Sequence, residues 1–139
     1  ILTDKAKMIL TPTYHIMQMY SVHQDAQLLP LTINSPLYTY NGKTLPALSA
    51  SASKDKNGLV HVSLVNIDSK KENKIEIDIK ELGVKNVTAT ILTSPKLQDH
   101  NSFDNPSKIK PAVYKGFEIK KGKLEITIPA FSVVVLEAK

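Results

Sequence analysis

The 139-residue chain contains no cysteine, which removes disulfides, thiolate metal sites and cysteine nucleophiles together. Arginine is also missing, and all 18 basic residues are lysine. Planar, bidentate recognition of guanine or phosphate is chiefly arginine chemistry, so the composition argues against a nucleic-acid partner. Tryptophan is absent and aromatic residues make up only 6%, which leaves little ring surface for stacking on sugars. No apolar run approaches the roughly 20 residues needed to cross a bilayer, so no membrane segment is expected. No signal peptide is visible either. The lack of disulfides does not settle the compartment, because many exported proteins also have none.

What remains is the composition of a folded domain, 42% apolar and 22% charged. Eighteen basic against 13 acidic residues give 18 − 13 = +5, with a pI near 9.3. The lysine excess is spread along the chain and reads as a solubility feature. Residue 1 is an isoleucine inside an apolar stretch, as in a mature or excised piece of a longer chain.

Two regimes meet at about residue 25. In the first, Met8-Ile9-Leu10 precedes Thr11-Pro12. Thr11 suits an N-cap and Pro12 suits N1, where its missing N–H costs nothing. From Thr13 to about Gln24 there is no proline or glycine, and Ile16, Met19, Tyr20 and His23 recur at the spacing of one helix face. One helix is predicted there. After Asp25 the period becomes two. Ile75, Ile77 and Ile79 alternate with Glu76, Asp78 and Lys80, and Leu124, Ile126 and Ile128 alternate with Glu125 and Thr127. Val60, Val62 and Leu64 mark a third strand, and Val87, Ala89 and Ile91 a fourth. Phe131 to Leu136 is apolar on both sides, as in a central strand. The Ser49–Ser53 alternation of serine and alanine suits a strand packed closely against another layer. Lys54–Gly58 and Lys120–Lys123 read as hairpin turns. The expected fold is mainly β: an antiparallel, jelly-roll-like β-sandwich preceded by one α-helix.

The residues that could carry chemistry are scattered. His15, His23, His61 and His100 lack metal-ligand spacing, so structural or surface roles are expected and no metal or cofactor is assigned. The loop Gln98–Pro106 offers Asp99, Asn101 and Asp104 as oxygen ligands for calcium, but the EF-hand frame fails. A loop held by Asx-turns and anchored by Phe103 is the favoured reading. Glycoside hydrolysis needs two carboxyl groups facing each other across the scissile bond. Glu118 and Glu125 could oppose each other across a hairpin, and Glu76 and Asp78 share a wet face, but lysines flank them and surface solvation fits better. Tyr38 and Tyr40 fall on one face of a possible strand. They are the candidate sugar-binding residues, against the plainer reading of a partly buried pair. Asn86-Val87-Thr88 is a bare glycosylation sequon. No catalytic residue is assigned.

Three stretches carry a resemblance. They are Leu10-Thr11-Pro12-Thr13-Tyr14-His15 through Met19 to Ala26, His100 to Pro106 with Pro111 downstream, and Ile128-Pro129-Ala130-Phe131-Ser132-Val133-Val134-Val135-Leu136. Their order and spacing resemble the C-terminal portion of family 51 α-L-arabinofuranosidases, over essentially the whole chain. The resemblance implies a parent enzyme with a catalytic (β/α)8 barrel and a C-terminal β-sandwich. Such an enzyme removes terminal α-L-arabinofuranosyl residues from arabinan and arabinoxylan with retention. Its acid/base and nucleophile glutamates lie on earlier barrel strands, and neither has a matching position here. Residues 1–24 are then expected to be the remnant of the last barrel strand (1–10) and helix (11–24), and residues 25–139 the sandwich. The chain is expected to be inactive alone. A stand-alone carbohydrate-binding module is the alternative. The implied partners are the chain's own barrel and, through the parent, arabinose-containing polysaccharides. The stripe Ile16, Met19, Tyr20 would lose its barrel and face solvent, the sandwich or another copy. The family's N-terminal end also contributes to the sandwich, so an open strand edge and self-association are expected.

Overall fold

A computed structural model describes residues 1–84 and 86–139. The chain opens with a short hairpin of β1 (Leu2–Asp4) and β2 (Lys7–Ile9), followed by helix α1 (Pro12–Tyr20). The strands β3 (Gln27–Leu29), β4 (Leu37–Tyr40), β5 (Lys43–Pro46), β6 (Leu48–Lys54) and β7 (Val60–Asn66) come next. They are followed by β8 (Asn73–Asp78), β9 (Val87–Thr93), β10 (Ala112–Val113), β11 (Phe117–Lys120), β12 (Lys123–Ile128) and β13 (Ser132–Ala138).

Helix α1 begins where the sequence signals it. The Thr11 hydroxyl accepts from the Tyr14 amide at 3.3 Å and Pro12 sits in the first turn. The α-helix ends at Tyr20, earlier than expected, and a 3-10 turn over Ser21–His23 carries the chain to Gln24. The Ser21 hydroxyl donates to the Gln18 carbonyl at 2.7 Å. That bond diverts one of the free carbonyls of the last turn and tightens it.

Two antiparallel sheets form the sandwich. One has the order β10-β9-β13-β7-β6-β3 and the other β11-β12-β8. β13 is central, as its two apolar faces require: Val134 lies opposite Leu64 on one side and Ile91 on the other. The inward residues of this sheet, Leu64, Ala89, Ile91, Val134 and Leu136, meet Leu124, Ile126 and Ile128 of the smaller sheet in the main core. Alternation thus assigns the faces of β7, β8, β9 and β12 correctly.

The second sheet has half as many strands, and this shapes the molecule. It stops at β8, which pairs with β12 only, so β8 keeps an unpaired edge among the described residues. Between that edge and the inner face of β6 and β7 lies a groove of about 830 Å³, bordered by segment 29–34. The small side chains of Ala50 and Ala52 form part of its floor.

The stripe of α1 is covered by the sandwich. Met19 packs with Leu92, Ile109 and Val135 on the outer face of the large sheet, with Ile16, Val22 and Val133 around them. The change at residue 25 is therefore one of secondary structure, while packing runs continuously across it. Residues 1–10, expected to be the end of a single strand, form the two strands of a hairpin.

A second hairpin, β4–β5, pairs only with itself. Asn41 and Gly42 take φ of 48° and 72° at its tip, the left-handed pair that a type I′ turn needs. The Asn-Gly dipeptide is a strong hairpin signal that the reading of the sequence passed over.

Candidate functional site

Tyr38 and Tyr40 share one face of β4, as the spacing requires. They stand on the small β4–β5 hairpin, outside both large sheets. Tyr38 is half-buried, with its hydroxyl 3.5 Å from that of Ser69, while Tyr40 is 66% exposed. The pair is thus one anchored ring and one free ring, rather than the two partly buried rings of the plainer expectation. Leu45 lies opposite Tyr38 and Lys43 opposite Tyr40, so the face combines an apolar strip with a cation at its tip.

The carboxylates do come together. Glu118 lies directly opposite Glu125, and Glu125 opposite Glu76, so three carboxylates cross the outer face of the small sheet in one row. Opposed residues have Cβ atoms roughly 5 Å apart, close enough for like charges to repel. Lys123 Nζ donates to Glu76 at 2.6 Å, and Lys120 pairs with Glu118. The row lines an open depression of about 500 Å³ together with Lys74, Gly116, Phe117 and Thr127. Glu118 and Glu76 stay 53% and 49% exposed in it, so water reaches both ion pairs. It is a solvated face.

The loop before Ile109 is pinned by an amide. Asn101 is buried, and its Nδ2 donates to the carbonyls of Leu10 and Ile109, both at 2.8 Å. Its Oδ1 accepts from the Ile109 amide at 2.7 Å. Lys108 donates to Asp99 at 2.7 Å, and the Ser94 hydroxyl donates to the same carboxylate at 2.5 Å. These two donors, Lys108 first, hold the Asp99 carboxyl below the usual carboxylate range. The oxygens of Asp99 and Asn101 are therefore engaged within the protein, but by Ser94, Lys108 and the Ile109 amide rather than in the Asx-turns expected. The anchor differs from the expected one: Phe103 is only half-buried, and Asn101 with buried Ile109 holds the loop.

The histidines divide by position. His100 is exposed, its Nδ1 3.0 Å from the Gln98 carbonyl. His15 is buried on α1, edge-on to Tyr14. His61 points away from the Val60/Val62 face, as alternation demands. It is buried there, with Nε2 3.5 Å from Asp55 and Nδ1 3.9 Å from Glu137. His23 bridges two strands: Nδ1 meets the Ser53 hydroxyl and Nε2 that of Ser63, both at 2.6 Å. No group of three metal-binding side chains converges among the described residues.

Asn66 is the polar pin that the sequence did not announce. It ends β7 at 2% exposure, and Nδ2 faces the carbonyls of Lys71, Ile128 and Pro129 at 2.9, 3.1 and 3.0 Å. Its Oδ1 accepts from the Asp68 amide at 3.0 Å and from Asn73 at 3.2 Å.

Comparison with known proteins places this geometry. Residues 1–132 match the sequence model of the α-L-arabinofuranosidase C-terminal domain. The chain is 42% identical over 138 residues to an intracellular exo-α-L-arabinofuranosidase of Bacteroides ovatus, covering 99% of this chain and 27% of that protein. Its fold superposes on a glycoside hydrolase family 51 arabinofuranosidase from Xanthomonas axonopodis pv. citri with a TM-score of 0.95 and 34% identity. That match covers 99% of this chain and 28% of the other. An α-L-arabinofuranosidase from Thermotoga maritima, solved as an arabinose complex, matches with a TM-score of 0.83 and 26% identity over 97% of this chain and 30% of that one. The chain thus spans between 27% and 30% of the length of these relatives.

Proposed function

The chain belongs to the α-L-arabinofuranosidase C-terminal domain family, and from that premise we propose that it is the accessory β-sandwich of a retaining arabinofuranosidase. The parent removes terminal α-L-arabinofuranosyl residues from arabinan and arabinoxylan, and its catalytic glutamates lie outside these 139 residues. The observation that carries this is the state of the chain's own carboxylates. A retaining glycosidase holds its two carboxyl groups about 5–5.5 Å apart across a bound sugar in a water-poor cleft. The row of Glu118, Glu125 and Glu76 instead lies on an open face with two members paired to lysine. On this reading residues 1–24, the β1–β2 hairpin and helix α1, are the end of the parent's barrel domain, and the barrel is the sandwich's partner. The isolated chain is expected to give no hydrolysis of an aryl α-L-arabinofuranoside above buffer. Turnover abolished by Glu118→Gln or Glu125→Gln would overturn the proposal.

The exposed ring of Tyr40 beside Tyr38 supports a second reading, a sugar-binding module with arabino-oligosaccharides as ligands. Calorimetric titration separates the two. Saturable binding that is lost in Tyr40→Ala favours the module, and no heat beyond dilution favours the accessory role.

The unpaired β8 edge supports the expectation of self-association, since it offers a row of free backbone donors and acceptors. Light scattering over rising concentration should give a mass climbing above the 15.4 kDa of one chain. A constant monomer mass at high concentration sinks the idea.

A further inference from the structure

We propose that His23 is a pH-sensitive latch: its neutral ring fastens the helical segment 11–24 to the large sheet, and protonation in mildly acidic solution frees that segment while the two-sheet core stays folded. The geometry is that of a clamp. The ring spans β6 and β7, with one nitrogen on the hydroxyl of Ser53 and the other on that of Ser63. Both hydroxyls belong to buried residues. A neutral imidazole has one donor and one acceptor nitrogen, which suits two hydroxyls that can each do either.

Burial and the ring of His61 oppose protonation of the His23 ring, and no carboxylate faces it among the described residues. Tyr20 of α1 lies beside it, the two ring centres 5.7 Å apart, and also engages Ser63. From β7 it faces His61, a second titratable ring. The neighbouring carboxylates, Asp55 of the β6–β7 turn and Glu137 of β13, face His61 instead. Burial first, and the nearby His61 second, depress the proton affinity of His23 below the ordinary 6.5. The sign follows. Above pH 6.5 the ring is neutral whether docked or free, and the latch holds fully. As pH falls from there towards the depressed value, the undocked ring takes up the proton more readily, so docking weakens.

The segment can leave alone because its contacts are separate from the main core. Met19 rests on a satellite cluster with Leu92, Ile109 and Val135, on the opposite side of the sheet from the Leu64–Ile128 core. Units with few buried contacts of their own open below the global unfolding free energy. On the functional reading above, the latch sets how firmly the sandwich is joined to the barrel, but the latch itself stands without that reading.

Hydrogen exchange of the intact chain at pH 7.5 and 5.5, corrected for the intrinsic rate, is the test. Amides of residues 14–24 should lose protection relative to those of β13 at the lower pH, by up to about tenfold, the ceiling for a free ring titrating at 6.5. In His23→Gln the two pH values should give the same helix protection. The proposal is overturned if the wild-type helix keeps its protection at pH 5.5, if β13 loses protection in parallel, or if His23→Gln retains the pH response. Should that variant fail to fold, the wild-type helix-against-β13 comparison decides by itself.

Discussion

Replacing Asn66 by alanine is expected to cost about 3–4 kcal/mol of folding stability, a large share of what a domain of this size possesses. The magnitude comes from the number of groups left without partners. Nδ2 serves the carbonyls of Ile128 and Pro129 at the end of β12 and of Lys71 before β8, while Oδ1 serves the Asp68 amide. One side chain therefore ties the end of β7 in the large sheet to β12 and β8 in the small one. Each buried group stripped of its partner costs about 1–3 kcal/mol, and several are stripped at once. The same contacts hold the turn in which Phe131 adopts a left-handed φ of 49°, a conformation unfavourable for a bulky residue. Asn66→Asp has nearly the same shape but turns an oxygen towards three carbonyl oxygens, so at neutral pH it should cost at least as much as alanine. Denaturant unfolding of the two variants separates packing from hydrogen bonding. An aspartate variant as stable as the parent would show that the bonds at Nδ2 contribute nothing.

The contrast between Asn66 and the strands around it shows what a sequence makes legible. Alternation in Val60–Leu64, Ile75–Ile79 and Leu124–Ile128 is a local pattern with a local cause, the two-residue period of the strand. It placed these residues on the inner faces without knowledge of their partners. Thr11-Pro12 was equally local and marked the start of α1. Two partners of Asn66 lie 62 and 63 residues away, and one partner of Asn101 lies 91 away. No window of sequence contains such a pair, so Asn66 draws no reading and Asn101 reads only as a loop oxygen, for calcium or for an Asx-turn. His23 falls between these cases. Helical spacing put it on the buried face with Met19 and Tyr20. The hydroxyls it meets, Ser53 and Ser63, became neighbours only when β6 paired with β7. Phe103 failed as an anchor for a related reason: hydrophobicity argued for burial, but a buried amide with three bonds fixed the loop first.

Ile128→Ala and Met19→Ala should differ in size and in kind. Ile128 has no exposed surface and stands between the two sheets, against a framework fixed on both sides. Truncation there removes the transfer free energy of the lost carbons and leaves a cavity that paired strands cannot collapse, at about 4 kcal/mol. Ile128→Val, which removes one methylene, should cost about 1 kcal/mol. Both losses should appear in global unfolding, with every probe shifting together. Met19 lies at the edge of the smaller cluster, on a helix of 9 residues that can shift towards the sheet. Its truncation should cost about 2 kcal/mol, at the lower end of the range for such changes. That cost should appear first as lost hydrogen-exchange protection of α1, with β13 protected as before. The two variants thus test whether the molecule is one cooperative body or a two-sheet core carrying a separately docked helix. Equal loss of protection in α1 and β13 for Met19→Ala would establish a single body, and with it a helix that cannot open alone.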